Sequence, residues 1–302
     1  GLQIMTPWTL MIAWRRLNQG VMIKHGSSNM VAIGTAIRLI TLVFVLSYGR
    51  WFSDLSGIIV GSSAVALAVT AEAIYAQLAV RRILRGILSK ENVSEQVTRK
   101  SFIRFYLPLA ITPLASLLIH PVGSAGMSRM PEALPSLAAW PVVYGLVFIT
   151  RSLGFAFNEV VVALLPHPNG KLELLRFTRI LAISTSAFLG VLALTPIGGY
   201  WFLYVAGLSE ELAYISSITL VFAILMPGYQ AYQAWYSGLL VNKNLTNGIS
   251  FAVLIYAIIA IIGLWLGTRL ATFPGIYWAV NVFVFAGLSQ TLYLRYSYKR
   301  IG

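Results

Sequence analysis

Six side chains in this sequence could do chemistry where chemistry is costly. Arg38, Glu72, His120, Arg151, Asn158 and Glu159 all lie inside, or at the rims of, long apolar runs. An ionisable group within a bilayer carries a large desolvation cost, and it faces either a partner or a watery cavity. Arg38 lies about 9 residues, or about 14 Å, from the inner end of its run at 1.5 Å per helical residue. A cavity-facing role and a buried ion pair both fit it, and snorkelling to the headgroups demands a long reach. For Glu72 and Glu159 the alternatives are a helix-locking pair with an arginine and a substrate or proton role. A carboxyl kept partly neutral by a low dielectric could exchange a proton near neutral pH. Arg151 precedes Asn158 by seven residues and Glu159 by eight, about two turns, so one helix face could gather them. His120 precedes Pro121, which suits either a polar cap at a helix break or a proton relay. The three histidines, His25, His120 and His167, have no metal-ligand spacing, so no metal site is expected.

Aromatic residues form a second set. Tyr229, Tyr232, Trp235 and Tyr236 follow spacings of 3, 3 and 1, a helical stripe that could line a solute path or simply pack. Tyr75 and Tyr256 are further candidates for a cavity wall. Pro227-Gly228 can bend the helix that carries the stripe.

Composition says what must position these groups. Of 302 residues, 58% are apolar and only 10% charged, with a mean hydropathy of +0.78. So few charges cannot coat a water-facing surface, which excludes a soluble enzyme and a disordered chain. There is no cysteine, which excludes disulfides, thiolate metal sites and cysteine nucleophiles. Nine apolar runs are long enough to cross a bilayer as helices: 3–23, 29–48, 56–82, 103–124, 136–165, 174–195, 211–241, 249–267 and 275–296. They are continuous rather than alternating, which excludes a β-barrel. The expected fold class is therefore an all-α polytopic membrane protein. Ser209-Glu210-Glu211 has the composition of a helix start, with acids that offset the helix dipole. Gly57 and Gly61 make a GxxxG pattern, expected to serve close packing within a lobe.

The net charge of +13 does not imply nucleic-acid binding, because the basic residues are unevenly placed. With the turn after the first span inside, 13 lysines and arginines fall on the cytoplasmic side and three, Arg50, Arg129 and Arg269, on the outer side. That asymmetry is the positive-inside rule. It puts the hydrophilic connector and the C-terminus in the cytoplasm, with the inner membrane as the location.

An offset of 218 aligns Arg15–Ile83 with Gln233–Ile301 without a gap, with 12 identities in 69 positions. Gly20 meets Gly238, Asn29 meets Asn247, Gly49 meets Gly267, and Tyr75 meets Tyr293. Arg38 meets Tyr256, and Glu72 meets Gln290. Both copies run in the same direction across the membrane, so the duplication is parallel. The expected organisation is 1–84 as three helices of a first lobe, 85–101 as a cytoplasmic connector, and 102–302 as a six-helix second lobe. On this reckoning a complete first unit would extend about 116 residues, or three helices, before Gly1.

Two parallel six-helix halves resemble the multidrug/oligosaccharidyl-lipid/polysaccharide exporter superfamily, which includes the MATE-like transporters and the lipid-linked sugar flippases. Local sequence carries the same resemblance. Leu17-Asn18-Gln19-Gly20 and Trp235-Tyr236-Ser237-Gly238 each end a helix in a glycine turn before a polar hairpin, and Phe105-Tyr106-Leu107-Pro108-Leu109-Ala110 is similar to the family's seventh helix. His120-Pro121-Val122-Gly123, Ser128-Arg129 and Tyr298-Lys299-Arg300 resemble the progressive-ankylosis branch. The resemblance implies two lobes around a central cavity, alternating access, and coupling to protons or sodium without any other cofactor. The mid-membrane arginines favour an anionic solute, either a small organic anion or a phosphate-bearing lipid carrier. No P-loop, nucleophile elbow or dinucleotide fingerprint is present, so an enzyme has no local support. The rival reading is a membrane scaffold that transports nothing. A polar cleft holding Arg38, Arg151 or Glu159 would discriminate the two. Oligomeric state is not legible.

Overall fold

The computed structural model describes residues 1–52, 54–88, 98–99, 120–243 and 245–301. Among them every regular element is helical. The chain divides into two compact units, Gly1–Gln96 and Val97–Gly302.

The first unit holds α1 (Leu2–Lys24), α2 (Ser28–Phe52) and α3 (Gly57–Leu88). Helix α3 packs along both others, while α1 and α2 barely touch. Met22, Ala76 and Val80 form its small apolar core.

The second unit begins, among described residues, with a helical stretch at 120–127. Next come α4 (Ala133–Leu164), α5 (Gly170–Leu194) and the short α6 (Pro196–Tyr200). A π-helical turn at Trp201–Val205 leads into α7 (Glu210–Ala223), α8 (Leu225–Asn242), α9 (Thr246–Leu270) and α10 (Gly275–Ile301). Most of the predicted 103–124 helix, with Pro108 and Pro113, and most of the 85–101 connector lie outside the described residues.

Seven helical stretches among the described residues are long and apolar enough to cross a membrane, counting α7 and α8 as one. Helix α1, predicted as a span at 3–23, has the length but carries Arg15, Arg16, Asn18 and Gln19, and it turns three of these polar groups inward. Large apolar side chains point outward elsewhere: Ile183 is 70% exposed and Phe285 64%. In water this would be untenable; in lipid it is the expected outer surface.

The 218-residue offset reappears in the helix boundaries. Helix α1 ends at Lys24 and α8 at Asn242; α2 spans Ser28–Phe52 and α9 spans Thr246–Leu270; α3 starts at Gly57 and α10 at Gly275. Each pair of boundaries differs by 218. The packing repeats too, since α10 contacts both α8 and α9 as α3 contacts α1 and α2. A Cβ at Gly49 would overlap Val60, and one at Gly267 would overlap Trp278, which is the equivalent residue. Small residues let the same two helices approach closely in both copies.

Three local features follow from particular residues. Ser209 caps α7 by accepting from the Leu212 N–H, and Glu210 and Glu211 open the helix. The predicted single helix at 211–241 is instead two, broken at Ile224. Pro227 has no N–H to offer the carbonyl four residues back, at Ala223, so the ladder fails there. Gly57 and Gly61 do not mediate close packing as expected: a Cβ at either would meet nothing within 4 Å.

Candidate functional site

Helices α4 and α8 run side by side in the same direction, and their seam builds the site. At Gly154 an added Cβ would press on the Gln230 side chain and come within 3.3 Å of the Gln230 and Ala231 backbone, so only glycine allows this approach. The close approach brings Gln230 beside Arg151, one turn earlier on α4. The Arg151 Nη2 donates to Gln230 Oε1 at 2.7 Å. Further along, the Asn158 amide donates to the Ala234 carbonyl at 3.0 Å. Helix α10 closes the third side, where Gln233 donates to the Gly287 carbonyl at 3.0 Å and to Gln290 Oε1 at 3.2 Å.

Between these helices lies a cavity of about 190 Å³. Its polar wall is Arg151, Gln230, Gln233, Gln290 and His120. Its apolar wall includes Trp140, Tyr144, Phe283 and Tyr256. The His120 ring stands edge-on to Tyr144 at 4.3 Å between centroids. No carboxylate lines the cavity among the described residues. The Arg151 guanidinium faces the rings of Phe155 at 5.6 Å and Tyr229 at 5.8 Å, and its Nε is buried with no hydrogen-bond partner. The arginine is thus held by one neutral amide and two ring faces, and it forms no ion pair among the described residues.

The other predicted residues fall elsewhere. Glu159 does not share the face of Arg151: it is exposed and lines no part of the cavity. A helix advances about 100° per residue, so position 159 turns outward while 158 stays on the seam. Trp235 is buried in a core with Phe157, Val161 and Leu239, so it packs rather than lines the cavity. Tyr229 is buried against Gly287, and Tyr232 is half-buried away from the lining. Tyr75 packs against Gly34 in the first unit.

Arg38 and Glu72 meet within the first unit, where Arg38 Nη1 lies 3.6 Å from Glu72 Oε2. The tighter partner was missed: Arg15 Nη1 reaches Glu72 Oε2 at 2.6 Å, and Gln19 donates to Glu72 Oε1 at 3.1 Å. Glu72 is fully buried, and with this shell its carboxylate serves the helix-locking alternative. The repeat held the signal for this pairing, because Arg15 and Glu72 align with Gln233 and Gln290. The same two positions bond in each unit, as an ion pair in one and as an amide pair in the other.

No protein-family model matches the chain, and no curated protein sequence matches it. A solved structure does. The lipid II flippase MurJ, in an inward closed conformation, superimposes with a TM-score of 0.68 at 16% identity. The match covers 98% of this chain and 62% of the MurJ chain. The fold is therefore that of a polytopic helical membrane protein, similar in architecture to MurJ. At this identity the match speaks for architecture alone. Nothing in it favours the progressive-ankylosis branch suggested by His120-Pro121-Val122-Gly123 and Tyr298-Lys299-Arg300. Among the described residues no group of histidines and acids could hold a metal ion.

Proposed function

We propose that this protein is a secondary transporter or flippase that moves an anionic, phosphate-bearing solute by alternating access between two lobes, driven by a proton or sodium gradient. In this reading residues 1–84 contribute three helices of the first lobe, 85–101 form the connector, and 102–302 form the second lobe. The connector and the C-terminus face the cytoplasm from the inner membrane.

One observation carries the reading. Arg151 lines a cavity that holds no carboxylate among the described residues, its Nε is unpartnered, and the fold is similar to that of a solved flippase. A cation-selective exporter would need the opposite sign in its cavity. The substrate named for MurJ, lipid II, tips the choice between a small organic anion and a lipid-linked phosphate toward the lipid-linked class. The polar cavity also weighs against a scaffold that transports nothing.

The test is reconstitution into vesicles with a fluorescent polyprenyl pyrophosphate, followed by quenching of the label exposed outside, with and without an imposed gradient. Arg151→Gln is expected to lower the translocation rate at least tenfold, as loss of one charge-assisted phosphate contact of about 1.5–3 kcal/mol implies. Glu159→Gln is expected to leave it unchanged. A full rate in Arg151→Gln, or equal movement of an uncharged polyprenyl lipid, would overturn the proposal.

A further inference from the structure

Residues that line the second-unit cavity have counterparts in the first unit, and the 218-residue offset finds them. Of the cavity wall, Gln233 corresponds to Arg15, Gln290 to Glu72, Tyr256 to Arg38, and Met226 to Trp8. Neutral groups of one copy thus become two arginines and one glutamate in the other. The three charges are in mutual contact, with Arg15 at 2.6 Å and Arg38 at 3.6 Å from the same Glu72 oxygen. Two guanidiniums on one carboxylate leave an excess of one positive charge between membrane-spanning helices.

That excess has no partner among the described residues. No further ion pair forms among the described residues of this unit. Arg15 is 7% exposed, and its Nε has no hydrogen-bond partner. The Trp8 Nε1, on α1 two turns before Arg15, is likewise buried with no acceptor. The Arg38 side chain is 40% exposed, which leaves a way in. Unpaired buried donors and an excess positive charge between apolar helices are both costly, and a compact anion at the two guanidiniums would offset that cost.

We infer that the first unit contains an anion-binding site formed by Arg38, Arg15 and Trp8, with Glu72 setting its net charge at one positive. The ligand is a compact anion, a halide or a phosphate group. Glu72 anchors the two arginines and weakens the site that they make. The inference stands apart from the transport reading, because it concerns binding in a different unit and at different residues.

The experiment measures thermal unfolding of the purified full chain in a neutral detergent. Sodium chloride or sodium phosphate is titrated against sodium gluconate at constant ionic strength. All variants carry Arg151→Gln, so that the second-unit cavity does not compete. The Arg151→Gln protein is expected to gain stability saturably with chloride or phosphate. Arg38→Gln should raise the half-saturating concentration at least tenfold, and Trp8→Phe by a few-fold. Glu72→Gln should lower it, since the site then holds two uncompensated cations, although stability in gluconate falls. A soluble short-chain phosphatidic acid distinguishes a lipid headgroup from a free anion: an Arg38-dependent shift with that lipid alone identifies the occupant as a headgroup. An unfolding temperature indifferent to all three anions, or an Arg38→Gln protein with an unchanged half-saturating concentration, would overturn the inference. Weaker anion binding in Glu72→Gln would equally do so, because a purely structural lock predicts that result.

Discussion

Glu72 shows how a single carboxylate can be settled by its neighbours. Bonded to Arg15 and Gln19, with Arg38 close by, it holds α1 to α3. Its counterpart joint, Gln233 to Gln290, holds α8 to α10 without charge. Breaking a buried pair from one side costs about 3–5 kcal/mol, whereas replacing both members with a matched neutral pair can cost little. Arg15→Gln alone is therefore expected to lower the unfolding temperature in detergent sharply. Arg15→Gln with Glu72→Gln, which imports the second unit's chemistry, should recover most of the loss. A double variant no more stable than Arg15→Gln would show that the two joints are not interchangeable. Arg15 itself was not legible as a site residue, because hydropathy alone leaves it as one of a pair with Arg16. Only the fold shows that Arg15 turns inward and Arg16 outward.

Among the elements, glycine decides where helices touch. Gly49 and Gly267 occupy equivalent close contacts, against Val60 and Trp278. A valine at either forces its branch into that neighbour, at a cost of about 1–3 kcal/mol for an overpacked site. Gly49→Val and Gly267→Val are expected to lower the unfolding temperature. Gly61→Ala should raise it slightly, because its Cβ meets open space and alanine is a better helix former by about 1 kcal/mol. The GxxxG pattern at Gly57 and Gly61 was the visible packing motif, whereas Gly49 stood out only through its repeat match to Gly267. A spacing motif records which glycines share a face, but not which face is covered. The break between α7 and α8 was partly legible, since Pro227 announces it.

At the scale of the whole molecule, the charge distribution has a geometric echo. Lys171 at the start of α5 and Lys243 just past the end of α8 both lie over the ring of Tyr298, near the end of α10, at 5.7 and 5.0 Å. Three ends that the charge bias assigns to one side thus lie together in the second unit. Absence of cysteine makes sidedness directly testable. Lys171→Cys and Lys243→Cys are expected to react with a membrane-impermeant maleimide only after lysis. Arg129→Cys and Arg269→Cys should react in intact cells. The reverse pattern would invert the proposed orientation.

The sequence by itself determined the membrane-spanning helical class, the bias of charge to one side and the duplication at an offset of 218. Each depends on a property that adds along the chain: hydropathy over about 20 residues, charge per turn, and residue identity at a fixed interval. Only the tertiary structure decided which polar groups meet. A helix rotates about 100° per residue, so one position separates Asn158 on the α4–α8 seam from exposed Glu159. Partners from distant segments, such as Arg151 with Gln230 or Arg15 with Glu72, are chosen by helix register across a packed seam, and a one-dimensional pattern does not contain it.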